Sequence, residues 1–169
     1  MVDDLEEILG RTREIATSIV AANSDRTDRE ARWPEENIRA LLDAGLGGLV
    51  LPPAAGGLGQ RLLGLARVCE ELARECPSTG ICFGMHHVGA AVLAAKATRA
   101  QTEAYLVPIA RGAHIATLAL SEPGTGGDFY LPESRLECPL YPSELRARDL
   151  KELGYSEASI WESSASLLP

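Results

Sequence analysis

Aromatic residues are scarce in this chain: they make up 5% of its 169 residues, although hydrophobic residues as a whole make up 46%. Strands are typically rich in aromatic and β-branched residues, whereas alanine and leucine, which are abundant here, favour helices. A hydrophobic fraction of this size is enough to bury a normal core, which argues against wholesale disorder. The composition therefore favours closely packed helices over a β-sandwich.

Positive charge is also in short supply. The chain has 16 lysine and arginine residues against 24 aspartate and glutamate residues, which gives a formal net charge of −8. It has no basic cluster interleaved with aromatic residues, the pattern that binds a phosphate backbone. We therefore expect no nucleic-acid partner.

Targeting, membrane and metal signals are missing as well. Residues 1–4 are acidic and lead into no early apolar run, so no signal peptide is predicted. Charges or glycines interrupt every candidate membrane span. The four cysteines form no CxxC pair, and the three histidines do not stand at zinc-ligand spacing around them. We expect a cytoplasmic protein with free thiols, no membrane span and no metal.

Helical periodicity is the strongest pattern that the sequence does contain. It predicts a first helix over 3–22, followed over 23–32 by a polar connection with or without a turn of its own. A second helix is predicted to begin at the Trp-Pro-Glu-Glu of 33–36, because proline and carboxylates suit a first turn, and to end at Gly45. The clearest apolar stripe lies in 61–76 and consists of Leu62, Leu65, Cys69, Leu72 and Cys76.

Two further helices complete the predicted helical region. One begins at Ser78, and its many glycines and alanines leave room for a neighbouring helix to come close. One face of this helix carries larger apolar residues, namely Ile81, Met85, Val88 and Val92. The other begins with a capping box, in which Thr98 is followed three residues later by Gln101, and ends at Gly112. A short apolar run over 113–120, bounded by glycine and proline, then predicts a strand.

Histidines and glycines supply weaker signals. His86 and His87 are adjacent and have no carboxylate cluster beside them, so packing or surface roles are predicted for them, and also for His114. The loop over 47–59 is rich in glycine and proline but is not followed by Lys-Ser/Thr, so we interpret it as turning the chain rather than cradling phosphate.

The residues directly after the predicted strand, Ser-Glu-Pro-Gly-Thr-Gly-Gly-Asp over 121–128, resemble the signature of the acyl-CoA dehydrogenase family. Upstream segments look like the family in the same order: the Trp-Pro-Glu helix start, the Ala-Gly-Leu of 44–46, the Gly-Gly-Leu-Gly loop, and the Glu-Glu-Leu-Ala of 70–73. The resemblance covers residues 1–137. It implies a helical N-terminal domain (1–112), the start of a β-domain (113–137) and a tail of unknown relationship (138–169).

The resemblance also implies a site for FAD and for an acyl-CoA thioester. The residues that it places at the flavin are Leu118, Leu120, Ser121 and Gly126. Gly127 stands where the family often has a serine that contacts the acyl-CoA, and glycine offers no hydroxyl. No residue is assigned as catalytic, because the family takes its base from a C-terminal domain that cannot be placed here, and Glu122 is interpreted as a turn residue.

The function expected from the resemblance is α,β-dehydrogenation of an acyl-CoA in fatty acid metabolism, with FAD as hydride acceptor, by a form that is truncated and lacks the base. One alternative is a non-enzymatic helical module or remnant that forms homo-oligomers or associates with a full-length relative. Another is a fragment of a related flavin-dependent monooxygenase or acyl-CoA oxidase. The expected fold is mainly α, with a helical bundle, a short β-segment and an irregular or helical tail.

Overall fold

Helices form through most of residues 4–118, the part of the chain that the computed structural model describes. The mainly helical prediction is confirmed for this part. Two π-helical turns, Ala16–Val20 and Thr102–Leu106, join consecutive α-helices, and 3-10 turns lie at Leu46–Gly48 and Pro53–Ala55. In chain order the α-helices are α1 (Leu5–Ile15), α2 (Ala21–Arg29), α3 (Glu35–Asp43), α4 (Leu62–Glu75), α5 (Pro77–Ala94), α6 (Arg99–Gln101) and α7 (Val107–Ala110).

The first helical segment is longer than predicted, because α2 continues it to Arg29 where a polar connection was expected. Tertiary hydrogen bonds account for the extension. The Asn23 side-chain amide donates to Asn37 Oδ1 at 2.9 Å, and Asn37 donates in turn to the Thr79 hydroxyl at 2.9 Å. Ser24 donates to the backbone carbonyl of Glu75 at 2.7 Å. Polar residues thus connect α2 to α3, α4 and α5, which hydrophobic periodicity does not reveal.

Large apolar residues from α1, α3 and α4, together with Phe83 of α5, form the first of two buried clusters among the described residues, here called the major core. Leu65, Leu72 and Cys76 of the predicted α4 stripe are buried, whereas Leu62, at the first position of α4, is 79% exposed. The members of the major core are Ile8, Leu9, Ala16, Val20, Ile38, Leu41, Leu42, Leu46, Leu49, Leu65, Val68, Leu72, Cys76 and Phe83.

Close packing of α4 against α5 depends on small residues, as predicted. A Cβ placed on Gly80 would lie 3.2 Å from both the Ala73 Cβ and the Cys69 carbonyl oxygen. The larger apolar residues of α5 point elsewhere: Ile81 is 68% exposed and Val92 is 51% exposed. The buried face of α5 instead consists of Thr79, Gly80, Phe83, His86, His87, Gly89 and Ala90.

The second cluster, here called the minor core, lies where the C-terminal half of α5 meets the loop after α3 and the end of the α6–α7 segment. It consists of Leu51, Ala55, Ala90, Leu106, Ile109 and Ala110. The predicted capping box opens α6: the Gln101 N–H donates to the Thr98 hydroxyl at 3.2 Å, and the Thr98 N–H donates to Gln101 Oε1 at 2.9 Å. Within residues 4–118, no helix is both long and apolar enough to cross a membrane.

Residues 113–118 do not form the predicted strand. A strand needs a neighbouring strand for its backbone groups, and residues 4–118 contain none. The Ala116 N–H instead donates to a side chain of α5, at 3.1 Å. The prediction of a strand is therefore wrong for this part of the run, and residues 119 and 120 lie outside the described residues.

Candidate functional site

The candidate site is approached by residues 112–118, here called the exit segment, which lead from α7 toward the residues that the family resemblance places at the flavin. Gly112 begins it with a left-handed backbone (φ +73°), which glycine adopts without strain. A Cβ on this residue would lie 3.0 Å from the Leu42 Cβ. Arg39 Nη1 donates to the Gly112 carbonyl at 3.3 Å, so α3 holds the start of the segment from two sides.

The loop after α3 supports the end of α7 through glycines. A Cβ on Gly47 would lie 2.8 Å from the Ile109 carbonyl oxygen, and one on Gly48 would lie 3.0 Å from the Ala110 Cα. A Cβ on Gly57 would collide with the Leu51 carbonyl. These glycines contact the protein's own backbone, in agreement with the interpretation that the loop turns the chain.

His86 connects this loop to the exit segment. His86 is buried, with a relative exposure of 2%. Nε2 lies 2.9 Å from the Gly47 carbonyl oxygen, and Nδ1 accepts the Ala116 N–H at 3.1 Å. Because a ring nitrogen that accepts a hydrogen bond carries no proton, His86 is neutral and donates from Nε2. Burial lowers the pKa of His86 despite the opposing hydrogen bond to Gly47, which fits the neutral form.

His87 packs in the interior rather than joining this contact. Its ring meets Phe83 edge-on at 4.4 Å and His86 at 4.7 Å between ring centroids. Neither ring nitrogen has a hydrogen-bond partner among the described residues. Burial, with a smaller contribution from His86, lowers the pKa of His87 to about 3. Packing or surface roles were predicted for the three histidines: His86 and His87 are buried, and His114 is exposed.

One helical turn beyond His86, the exit segment crosses α5 at Gly89. A Cβ on Gly89 would lie 2.8 Å from Thr117 N and 2.9 Å from Thr117 C, both of them backbone atoms. Ala116 packs against the minor core, whereas Ile115 and Thr117 are exposed. Side chains of the segment that face the protein therefore alternate with side chains that face solvent, and its backbone contacts α5.

Of the residues expected at the flavin, the structure describes Leu118 alone. Leu118 is half-buried, so it keeps exposed apolar surface of the kind that contacts a planar ring. Leu120, Ser121, Gly126 and Gly127 lie outside the described residues. Sequence reasoning did not find the contacts of His86 and Gly89 with the exit segment. Spacing along a helix indicates which residues share a face, but it does not reveal partners that lie far away in the sequence.

Comparison with known proteins matches this part of the chain to one family. The family model described as the acyl-CoA dehydrogenase N-terminal domain matches residues 2–113. The short-chain specific acyl-CoA dehydrogenase of Clostridium acetobutylicum is 32% identical over 117 residues, which are 69% of this chain and 31% of that protein. The 3-sulfinopropanoyl-CoA desulfinase of Advenella mimigardefordensis is 37% identical over 70 residues, 41% of this chain and 18% of that protein.

A solved structure agrees with the sequence matches. Butyryl-CoA dehydrogenase from Megasphaera elsdenii superposes with a TM-score of 0.68 at 25% identity, over 76% of this chain and 35% of that one. The chain thus spans less than two fifths of the length of each of these relatives.

Proposed function

Because the chain belongs to the acyl-CoA dehydrogenase family, we propose that its helices serve as the N-terminal domain of an FAD-dependent enzyme that dehydrogenates an acyl-CoA thioester between Cα and Cβ. The observation that carries this proposal is the family match over residues 2–113. The matched region is followed in the sequence by the motif at 121–128, which begins with Ser-Glu-Pro. The helical domain and the motif occur in the order that the family requires.

In this proposal, FAD when bound would supply the acceptor for the hydride that leaves the β-carbon of the substrate. The chain's own residues bind and orient it. Leu118 supplies apolar contact, and its half-buried side chain is compatible with that role. The Ser121 hydroxyl and the backbone N–H groups of Leu120 and Gly126 supply hydrogen-bond donors, which stabilise negative charge as the ring is reduced. Gly127 stands at the position of the family's acyl-CoA contact but offers no hydroxyl for it.

No residue of the 169 is assigned the removal of the α-proton. A general base must reach that proton with suitable geometry, and we propose that it comes from a part of the enzyme outside this sequence. We therefore expect the 169-residue chain to form little or no enoyl-CoA when it is incubated with acyl-CoA, FAD and an electron acceptor. Steady enoyl-CoA formation by the pure chain would contradict this assignment.

The reaction type has an alternative within the same family. One relative is named a desulfinase of 3-sulfinopropanoyl-CoA, so the matched helical region occurs in proteins whose named reactions differ. A flavin-dependent monooxygenase or an acyl-CoA oxidase would use the same helical domain. Oxygen consumption that is coupled to acyl-CoA turnover, in a protein that contains the remaining domains, would favour these alternatives over the dehydrogenase.

A flavin titration of the purified chain tests the proposal directly. Saturable binding at or below about 1 μM, which corresponds to about −8 kcal/mol, is the expected result. Ser121→Ala should weaken this binding. Ser18→Ala, a change of the same size at an exposed position in the π-helical turn Ala16–Val20, should leave it unchanged. Absence of saturable binding would favour the second candidate, a non-enzymatic helical module, for which the exposed apolar face of α5 is the supporting observation.

A further inference from the structure

The geometry points to His86 as a positioning residue that holds the exit segment against α5 and so sets the place of Leu118 at the flavin. The role at the flavin rests on the proposed function, whereas the contact itself does not. His86 binds Ala116, which precedes Leu118 by two residues in the sequence. His86 itself is assigned no contact with cofactor or substrate.

The first support is the way in which the ring is bound at both ends. Nε2 donates to the carbonyl of Gly47, and Nδ1 accepts from the N–H of Ala116. These two groups lie 39 residues before and 30 residues after His86 in the sequence. One neutral imidazole therefore joins the loop after α3, the middle of α5 and the exit segment. Loss of either contact leaves a backbone group without its partner, which is more costly than the mean value of a hydrogen bond.

The second support is the small amount of apolar surface that the middle of the exit segment buries. Ile115 and Thr117 are exposed, and Ala116 brings a single methyl group to the minor core. Burial of so little surface contributes little free energy. Alongside the contacts of its start with α3, the hydrogen bond to His86 and the close backbone approach at Gly89 therefore hold the segment on α5.

Two substitutions at His86 separate its two contacts. His86→Asn keeps an acceptor near the position of Nδ1 and loses the donor to Gly47. His86→Gln keeps a donor near the position of Nε2 and loses the acceptor for Ala116. Each variant leaves one backbone group unpaired, so the two should lose similar thermal stability. A difference between them in FAD binding or in amide exchange therefore cannot be caused by a general loss of stability.

The measurements are the Kd for FAD and the hydrogen-exchange rate of the Ala116 amide, followed by NMR. We expect His86→Gln to bind FAD about tenfold more weakly, equivalent to about 1.4 kcal/mol, and to exchange the Ala116 amide about tenfold faster. His86→Asn should stay within about twofold of the wild type in both measurements. Equal losses in the two variants, or none in His86→Gln, would overturn the positioning role.

Failure of the proposed function gives a different result. If the wild-type chain does not bind FAD, the proposed function fails, and the exchange rate of the Ala116 amide decides the inference. Faster exchange in His86→Gln but not in His86→Asn supports the positioning of the exit segment. Identical exchange in all three proteins overturns it.

A second pair of variants keeps the inference testable if changes at His86 prevent folding. Gly89→Ala places a Cβ 2.8 Å from Thr117 N and must displace the exit segment. Gly84→Ala, on the same helix, meets only Cys69 Sγ at the ordinary contact distance of 3.5 Å. We expect faster exchange of the Ala116 amide in Gly89→Ala and unchanged exchange in Gly84→Ala. Unchanged exchange in both variants would overturn the inference.

Discussion

The major and minor cores are built in different ways. The major core is filled by large side chains, such as Leu41, Leu72 and Phe83. The minor core has alanine at three of its positions, Ala55, Ala90 and Ala110, and is surrounded by glycines whose neighbours are backbone atoms. Side-chain volume therefore stabilises the major core, and close approach of backbones shapes the minor core. The first should be sensitive to the removal of atoms and the second to their addition.

Removal of a large side chain from the major core should have the largest effect. Phe83 is fully buried, so Phe83→Ala should lower the free energy of unfolding by about 3–5 kcal/mol, through lost burial and a residual cavity. Urea unfolding followed by circular dichroism measures this. Ile81→Ala on the exposed face of the same helix should stay within about 0.5 kcal/mol. Equal losses in the two variants would contradict the burial of the Phe83 face of α5 alone.

Addition of one methyl group to the minor core should have the next largest effect. The Cβ of Gly57→Ala would collide with the Leu51 carbonyl, and the shift of backbone that it requires should cost about 1–3 kcal/mol. Gly10→Ala provides the control, since a Cβ there meets nothing within 4 Å. In a helix this control should be more stable by about 0.5–1 kcal/mol. A Gly57→Ala variant as stable as the wild type would contradict the account of the minor core.

The smallest expected effect is a pH dependence at His87, which packs against Phe83 of the major core. Its pKa is about 3 in the folded chain against an ordinary 6.5, so the unfolded chain binds the proton more tightly. The contribution of neutral His87 to the free energy of unfolding is therefore fully present above pH 6.5. As the pH falls below 6.5, the free energy of unfolding decreases by up to about 1.4 kcal/mol per pH unit for each histidine that must stay neutral.

Unfolding curves measured between pH 7 and pH 5 test this assignment. His87→Leu should flatten the loss of stability, leaving the smaller contribution of His86, whose pKa is also lowered by burial. His114→Gln, a change at an exposed histidine, should leave the pH dependence unchanged. A His87→Leu curve parallel to that of the wild type would show that another group causes the pH dependence.

Local patterns predicted the elements whose stabilising interactions are themselves local. The α4 stripe was found from its spacing because each of its residues is within one or two turns of the next. The capping box at Thr98 was found because both of its hydrogen bonds join residues three apart. The helix over 23–29 was predicted only as a polar connection with or without a turn of its own, because its hydrogen bonds lead to Asn37 and Glu75, far along the chain.

The site shows the same division. The motif at 121–128 and the family-like segments upstream of it carried the resemblance, because runs of adjacent residues can be compared with known signatures without knowledge of the fold. The strand predicted over 113–120 was wrong in its described part because length and apolar content do not reveal whether a partner strand is adjacent. The role of Leu118 at the flavin stays a prediction.

By itself, the sequence determined that the chain is mainly helical, where α4 and the capping box of α6 lie, and which family it resembles. These properties depend on composition and on neighbours within a few residues. Only the tertiary structure decided which face of α5 is buried, because that helix is apolar on more than one side and periodicity cannot choose between apolar faces. It also decided the role of His86, because the carbonyl and the N–H that bind its ring come together only when the loop after α3 and the exit segment pack on the same helix.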